Sequence, residues 1–394
     1  NRVRHGQPQG AIEAFLTAID AQVRARAGRQ HSFYSLECET RPLNDDVAVA
    51  AHKAHEALAG MRNPGNTLIA RLQRIRNDSE DTLNADTRRR LEAVIRSLQR
   101  RLHMGLQAWL DMLDALLSAQ IDERFVDWLA IERSDGHIMD VGMYRHWVNP
   151  MQPFTQAIQP QASGIAVTSA TLRDGTDNPA RNWEVARQRT GAELMNAPPQ
   201  EIALASPFDY AGQTRVLVVT DIDRDDTQQV ASAMRGLFNA SGGGALGLFT
   251  AIQRLRAVHG EIAGPLEEAG LPLYAQHVDG MDIGTLVDMF RDDLHACLMG
   301  TDAVRDGIDV PGAALRLLVF DRVPWPRPSI LHKARRQAFG GKAYDDMLTR
   351  LRLKQAYGRL IRSADDHGVF IMLDSRLPTR LTGAFPEGVS VERV

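Results

Sequence analysis

The run Leu315-Arg316-Leu317-Leu318-Val319-Phe320 is short and apolar, as expected of a buried β-strand. It is one of six such runs in the C-terminal half of the chain, and stretches with helical spacing separate them. The other five are residues 216–219, 245–249, 271–275, 296–299 and 369–373. Short apolar strands that alternate with helices are typical of a parallel sheet covered on both faces. The sequence therefore predicts an α/β fold for this half.

Several predicted strands end in residues that suit a binding loop. Phe249 and Thr250 close one run, Gly300 and Thr301 follow another, and a further short strand is predicted at residues 164–168. Loops at the carboxyl ends of parallel strands carry the functional groups in such sheets. These positions are therefore candidate site residues.

One nine-residue block combines two arginines with a glutamine and a glycine: Gln355-Ala356-Tyr357-Gly358-Arg359-Leu360-Ile361-Arg362-Ser363. Arginines three positions apart share one face of a helix, so Arg359 and Arg362 could reach the same anion. A guanidinium group pairs bidentately with phosphate oxygens, and an arginine finger accelerates phosphoryl transfer roughly 10³- to 10⁵-fold. The alternative is a solvated face or ion pairs with Asp365 and Asp366, and the block alone leaves both open.

This block is similar to motif VI of the superfamily 2 helicases, and three other blocks resemble further motifs in the same order. Residues 167–172 resemble motif III, residues 244–250 resemble motif IV, and residues 300–312 resemble motif V. The segments that resemble the DinG/XPD-like branch specifically are residues 168–172, 206–210 and 318–326. The resemblance extends from about residue 125 to the end of the chain.

The resemblance implies half of an ATP site. Arg359 and Arg362 would face the γ-phosphate, with Arg362 as the arginine finger and Gln355 as a sensor of the nucleotide. Gly358 would allow close backbone approach. The chain contains no Gly-x-x-x-x-Gly-Lys-Ser/Thr loop, so an absent N-terminal helicase half would supply the rest of the site for ATP and Mg²⁺. The fragment alone is therefore expected to be inactive.

Two further pairs of residues are implied to link nucleotide and DNA. In motif V, Asp309 would bridge the nucleotide side and the nucleic-acid side, and Gly307 would provide the turn that places it. The alternative for Asp309 is that it merely caps the turn that follows. Ser169 and Thr171 in motif III would couple the state of the nucleotide to the position of the DNA strand.

Single-stranded DNA is implied to run across the tops of the sheets, where amides and hydroxyl groups bind phosphate rather than bases. The implied DNA contacts are Phe249, Thr250, Gly300, Thr301 and Arg305. For a threonine at a strand end the alternative is a local hydrogen bond to the backbone. Val304 and Arg305 stand where family members often carry an aromatic pair, so Arg305 would contact either a phosphate or the face of a base.

Residues 1–120 have helical periodicity and resemble an Arch domain. One long helix would carry a continuous apolar stripe: Leu91, Val94, Ile95, Leu98, Leu102, Leu106, Trp109, Leu113 and Leu116. Its other face carries six arginines, either solvated, which is the favoured interpretation, or aligned with a nucleic-acid backbone: Arg88, Arg89, Arg90, Arg96, Arg100 and Arg101. Shorter helices are predicted at residues 12–23, 47–58 and 68–75, separated by Pro42 and by Asn63-Pro64-Gly65.

The predicted organisation has three parts. Residues 1–120 form the helical Arch-like domain, residues 121–200 the tail of a first RecA-like domain with motif III and a linker, and residues 201–394 the second RecA-like domain. A β-hairpin is predicted between residues 125 and 148, turning at Ser134-Asp135-Gly136.

Composition adds few constraints. The 394 residues are 44% hydrophobic with a net charge of -3, which is typical of a soluble globular protein. The two cysteines, Cys38 and Cys297, suit a reducing, cytoplasmic compartment. Four cysteines are needed for the iron–sulfur cluster of the DinG/XPD-like branch, so a cluster is expected only in the absent N-terminal part. No run of residues is long and apolar enough for a membrane span.

The leading hypothesis is the C-terminal portion of an ATP-dependent DNA helicase that translocates on single-stranded DNA. Its expected partners are single-stranded DNA, ATP and the N-terminal helicase half. The alternative is a non-catalytic nucleic-acid-binding or scaffold protein that retains the helicase fold.

Overall fold

The computed structural model describes residues 10–27, 35–78, 84–134, 136–301, 304, 310 and 312–394. The chain forms two compact units. Unit 1 contains Asn1–Pro150 and Pro328–Ala338, and unit 2 contains Met151–Arg327 and Phe339–Val394. These boundaries lie at other positions than the predicted domain boundaries near residues 120 and 200.

The helices and strands are as follows. The α-helices are α1 (Ala11–Arg26), α2 (Asp45–Gly60), α3 (Arg62–Asp78), α4 (Ala85–Arg100), α5 (Gln107–Leu117), α6 (Met151–Ile158), α7 (Pro179–Thr190), α8 (Tyr210–Gln213), α9 (Thr227–Ser241), α10 (Ile252–Glu268), α11 (Ile283–Asp292), α12 (Ile330–Ala338) and α13 (Lys342–Tyr357). The strands are β1 (Leu36–Glu39), β2 (Phe125–Ser134), β3 (His137–Trp147), β4 (Thr214–Val218), β5 (Ala245–Leu248), β6 (Leu273–Ala275), β7 (Cys297–Gly300), β8 (Leu317–Phe320), β9 (Gly368–Met372) and β10 (Val391–Arg393).

Unit 1 packs helices on both faces of a three-stranded antiparallel sheet with the order β1-β2-β3. Side chains alternate between the two faces of a strand. Leu129 and Ile131 of β2 therefore join a core with α1, α2 and α5, while Trp128 and Ala130 face Leu331 of α12. The predicted hairpin is confirmed, because β2 and β3 pair antiparallel, with one register shift between Glu132 and Arg133.

Two expectations for unit 1 were wrong in detail. Asn63-Pro64-Gly65 does not separate helices, because α3 begins at Arg62 and a proline is tolerated in the first turn. Gly65 instead permits close helix packing, since a Cβ there would lie 2.8 Å from Leu102 Cδ1.

The long apolar stripe is also interrupted. A π-helical turn at Arg101–Leu106 joins α4 to α5. Such a turn takes up more residues than an α-helical turn and so changes which side chains face the core. Ile95 and Leu113 are buried, whereas Val94 is 48% and Trp109 is 57% exposed.

Unit 2 contains a seven-stranded, fully parallel sheet with the order β10-β4-β9-β8-β5-β7-β6. All six strands predicted from the apolar runs are present. On one face Leu318 and Phe320 pack with α11 and α13, and on the other Leu317 and Val319 pack with α9 and α10. The additional strand β10 escaped prediction because three residues at the sheet edge, two of them charged, carry no apolar signal.

The strand predicted at residues 164–168 is absent, and this expectation was wrong. The segment has no regular secondary structure, and Ile165 and Val167 are exposed. No strand among the described residues pairs with it. An apolar run becomes a buried strand only where a neighbouring strand satisfies its backbone, and here none does.

Within the described part of the chain, no helix is long and apolar enough to cross a membrane.

Candidate nucleotide and nucleic-acid site

Thr250 lies at the carboxyl edge of the sheet, in the loop after β5. Its amide donates a hydrogen bond to Oδ1 of Asp321, which directly follows β8, at 3.1 Å. Arg254 Nε donates to Oδ2 of the same carboxylate at 2.8 Å. Burial raises the pKa of Asp321, with Arg254 acting in the opposite direction. This buried carboxylate thus fixes the loop that carries Thr250, whose own side chain is exposed.

Phe249 was predicted to contact DNA, but its side chain is only 2% exposed and belongs to the core beside α9 and α10. Its amide donates to the carbonyl of Gly300 at 2.9 Å. A buried ring cannot stack on a base, so this position could meet DNA only through its backbone. The motif IV block contains both buried and exposed residues. The resemblance alone therefore did not show that Phe249 belongs to the core.

Thr301 follows β7 and binds a side chain from the neighbouring strand. Its amide and its Oγ1 both donate to Oε1 of Gln276, each at 2.9 Å. This differs from the local backbone hydrogen bond considered from the sequence, because the acceptor is the side chain of Gln276 in another segment. Gly300 is required by packing, because a Cβ there would lie 2.1 Å from Val304 Cγ2.

A second buried carboxylate at the same edge escaped sequence reasoning. Asp374 follows β9 and accepts from Arg224 Nη1 at 2.5 Å and from the amide of Val323 at 3.1 Å. Arg254 Nη2 donates to the carbonyl of Arg224 at 3.0 Å, which joins this pair to Asp321. The available signal was an aspartate directly after a buried apolar run, at both Asp321 and Asp374.

Motif VI does not form the predicted helical face. Helix α13 ends at Tyr357, Gly358 caps it, and Arg359 and Arg362 lie in the turn and loop that follow. Arg359 and Arg362 therefore do not share one face of a helix, and that expectation was wrong. Gln355 lies in the last turn of α13 and is partly buried.

The physical reason is Asp366, which is 5% exposed. Its Oδ2 accepts from the amides of Arg362 at 2.6 Å and Ser363 at 2.8 Å, and its Oδ1 accepts from Ser363 Oγ at 2.7 Å. Burial opposes its ionisation, but these bonds and one from the amide of Gly312 lower the pKa of Asp366 below its usual value. Asp366 thus binds backbone amides of the arginine loop.

Gly312 ends the motif V block, so Asp366 connects that block to motif VI. The predicted residues Arg305, Gly307 and Asp309 lie outside the described residues.

The predicted residues fall on two edges of the sheet. Thr250 and Thr301 follow strands, whereas the loop of Arg362 precedes β9 and Gly312 precedes β8. Because all strands are parallel, these two groups lie at opposite edges. The structure therefore does not bring Arg362 together with Thr250 and Thr301, and the described ends of the motif V block, Thr301 and Gly312, lie at opposite edges.

Motif III lies in unit 2, close to α13. Ser169 Oγ accepts from the amide of Thr171 at 3.1 Å and lies 3.2 Å from Thr171 Oγ1. Arg189 of α7 donates to the carbonyls of Thr171 and Leu172, each at 3.0 Å. Motif III is thus a small turn held by a cation from α7.

Comparison with known proteins adds family evidence. Residues 234–391 match the helicase C-terminal domain family. The chain is 31% identical over 233 residues to an ATP-dependent helicase DinG of Mycobacterium tuberculosis, covering 56% of this chain and 33% of that protein. It is 28% identical over 290 residues to a 3′-5′ exonuclease DinG of Bacillus subtilis, covering 70% of this chain and 30% of that protein. The chain thus spans about a third of the length of these relatives.

Structural comparison concerns the fold alone. A solved XPD helicase structure is similar with a TM-score of 0.51 at 13% identity, over 98% of this chain and 64% of that chain. It agrees with a RecA-like parallel sheet in unit 2. Residues 234–391 are therefore similar to a helicase C-terminal domain, and the chain as a whole is similar to DinG-type superfamily 2 helicases.

Proposed function

We propose that this chain is the C-terminal portion of an ATP-dependent DNA helicase that translocates on single-stranded DNA. The observation that carries the proposal is the occurrence of four helicase-like motifs in family order, three of which lie within the matched residues 234–391. Relatives that share this portion are named ATP-dependent helicases.

The motif VI loop is the proposed contribution to ATP hydrolysis. Arg362 is the finger that reaches the γ-phosphate, Arg359 assists it, and Gln355 senses the nucleotide. Gly358 lets the chain approach the nucleotide closely. Asp366 supports this role, because it fixes the backbone of the loop that carries Arg362. The Walker A loop and the Mg²⁺ site are proposed to belong to an N-terminal helicase half, as is any iron–sulfur cluster.

The carboxyl edge is the proposed DNA side. The exposed side chain of Thr250 suits phosphate oxygens, because Asp321 holds its loop in place. Phe249, Gly300 and Thr301 are proposed to extend the same row, and the amides of Phe249 and Thr301 would have to exchange their present acceptors to bind phosphate. From motif V, Arg305 adds a cation, while Gly307 and Asp309 link this edge to the nucleotide side. Ser169 and Thr171 are proposed to couple nucleotide state to strand position.

Two measurements on the purified chain test the proposal. Its affinity for a single-stranded oligonucleotide is expected to fall as salt rises, because phosphate contacts release counterions. It is expected not to hydrolyse ATP, since Arg362 has no triphosphate cradle in this chain. A flat salt response would contradict the DNA side. Magnesium-dependent hydrolysis by the chain alone, abolished by Arg362→Ala, would contradict the division between two halves.

A further inference from the structure

The loop after motif III is bound to α13 by a buried ion pair. Arg350 donates from Nε to Oδ1 of Asp174 at 2.7 Å and from Nη2 to Oδ2 at 2.5 Å. The two side chains are 7% and 4% exposed. A bidentate pair of this kind fixes orientation as well as distance, and separating it would leave a charge buried without its partner.

Arg350 belongs to one stripe of α13 that faces this loop. Asp346, Arg350 and Lys354 are four residues apart and so lie on the same side of the helix. Lys354 Nζ donates to the carbonyl of Arg173 at 3.1 Å. Asp346 binds Arg380 instead, at 2.7 Å, and so contacts a neighbouring segment rather than motif III.

Backbone packing independently fixes the same loop. A Cβ on Gly175 would lie 1.7 Å from the carbonyl oxygen of Gly383, and a Cβ on Gly383 would lie 1.8 Å from that of Gly175. The two backbones therefore touch without side chains between them. With Arg189 on the carbonyls of Thr171 and Leu172, the loop is held from three directions.

We propose that Asp174, Arg350 and Lys354 are positioning residues that transmit the state of motif III to motif VI. Gln355 follows Lys354 in α13, and Arg359 and Arg362 lie just after the end of this helix. Because separating the ion pair would leave a charge buried without its partner, motif III and the C-terminal turn of α13 move as one body. The functional meaning of this link rests on the proposed function, whereas its mechanical existence does not.

Hydrogen–deuterium exchange on the full chain tests the link directly. Asp174→Asn is expected to speed exchange at residues 169–175 and also at residues 355–363, by about tenfold at both sites. Lys354→Met, which removes the bond to Arg173 and keeps the aliphatic stem, serves if Asp174→Asn does not fold. The matched control Asp346→Asn breaks an ion pair on the same stripe and is expected to change exchange at residues 355–363 less than about twofold.

Faster exchange at residues 169–175 without any change at residues 355–363 would overturn the proposal. An equal effect of Asp346→Asn would also overturn it, because the loss would then reflect general loosening of α13.

A second readout uses the longer protein that contains the N-terminal helicase half. The ratio of DNA-stimulated to basal ATP turnover is expected to fall about tenfold in Asp174→Asn and Lys354→Met. An unchanged ratio would overturn the proposal. If single-stranded DNA fails to stimulate the unmodified protein, the proposed function fails, and the exchange result still decides whether the mechanical link exists.

Discussion

At the scale of single residues, buried aspartates hold the loops of the candidate site. Asp321 fixes the loop of Thr250, Asp366 fixes the loop of Arg362, and Asp174 fixes the loop after motif III. Each accepts hydrogen bonds from elements that are distant in sequence or from consecutive amides. The family motifs supply the groups that would meet ligands, while these carboxylates supply their positions.

Replacing Asp366 with alanine is predicted to destabilise the protein by about 2 kcal/mol, because buried amide donors lose their acceptor. The measurement is chemical denaturation of the variant and the original protein at neutral pH. The lowered pKa of Asp366 also sets a pH dependence. Its stabilising contribution is present above the unfolded pKa of about 3.9 and is lost as pH falls through the lower folded value. The difference between the two proteins should therefore shrink below about pH 4, and a constant difference would contradict this role.

At the scale of elements, the strands were predictable because each is a short apolar run buried on both faces. The residues at which helices end, and the side chains that helices turn toward the core, were not predictable. The arginine loop leaves the helix because Asp366, four residues after Arg362, captures its amides, a contact that helical periodicity does not record. The stripe of α4 and α5 is interrupted by a π-helical turn, which a residue pattern written for 3.6 residues per turn cannot detect. The strand predicted at residues 164–168 does not form, because a strand needs a neighbouring strand to pair with.

Gly175→Ala is predicted to destabilise unit 2 by about 2 kcal/mol or more, because its Cβ would collide with backbone at Gly383. The matched control is Gly260→Ala in α10, where a Cβ meets nothing within 4 Å. That change should be neutral or stabilise by about 0.5 kcal/mol, since alanine favours helix. The measurement is the melting temperature of both variants. Equal melting temperatures would contradict the contact between Gly175 and Gly383.

Asp321→Ala is predicted to cost about 3 kcal/mol, because Arg254 would remain largely buried without its carboxylate. The released loop of Thr250 should also weaken binding of single-stranded DNA. Chemical denaturation measures the loss of stability. Fluorescence anisotropy with a labelled oligonucleotide measures the affinity for DNA. Loss of stability with unchanged DNA affinity would remove Thr250 from the proposed DNA side.

At the scale of the whole molecule, the two units are interleaved in sequence, because α12 returns from unit 2 to cover the sheet of unit 1. The predicted boundaries near residues 120 and 200 divide the chain into consecutive segments and so do not describe this interleaving. Amphipathic periodicity shows that α12 has an apolar face but not which sheet it covers.

Leu331→Ala is therefore predicted to destabilise unit 1 by about 1 to 2 kcal/mol, through lost packing against Trp128 and its neighbours. Hydrogen–deuterium exchange should accelerate in β2 and β3 and remain unchanged in β8 and β9. Faster exchange confined to unit 2 would contradict the assignment of α12.

The most direct test of the central claim measures ATP turnover in a longer protein that joins this chain to the proposed N-terminal helicase half. Arg362→Ala is predicted to lower DNA-stimulated turnover by roughly 10³-fold or more, because an arginine finger acts on the transferring phosphate. Its affinity for single-stranded DNA should stay within about twofold, because the loop lies at the opposite edge from Thr250. The control Arg235→Ala removes an exposed arginine of α9 and should change neither quantity. Turnover of Arg362→Ala equal to that of the unmodified protein would contradict the claim that motif VI completes an ATP site.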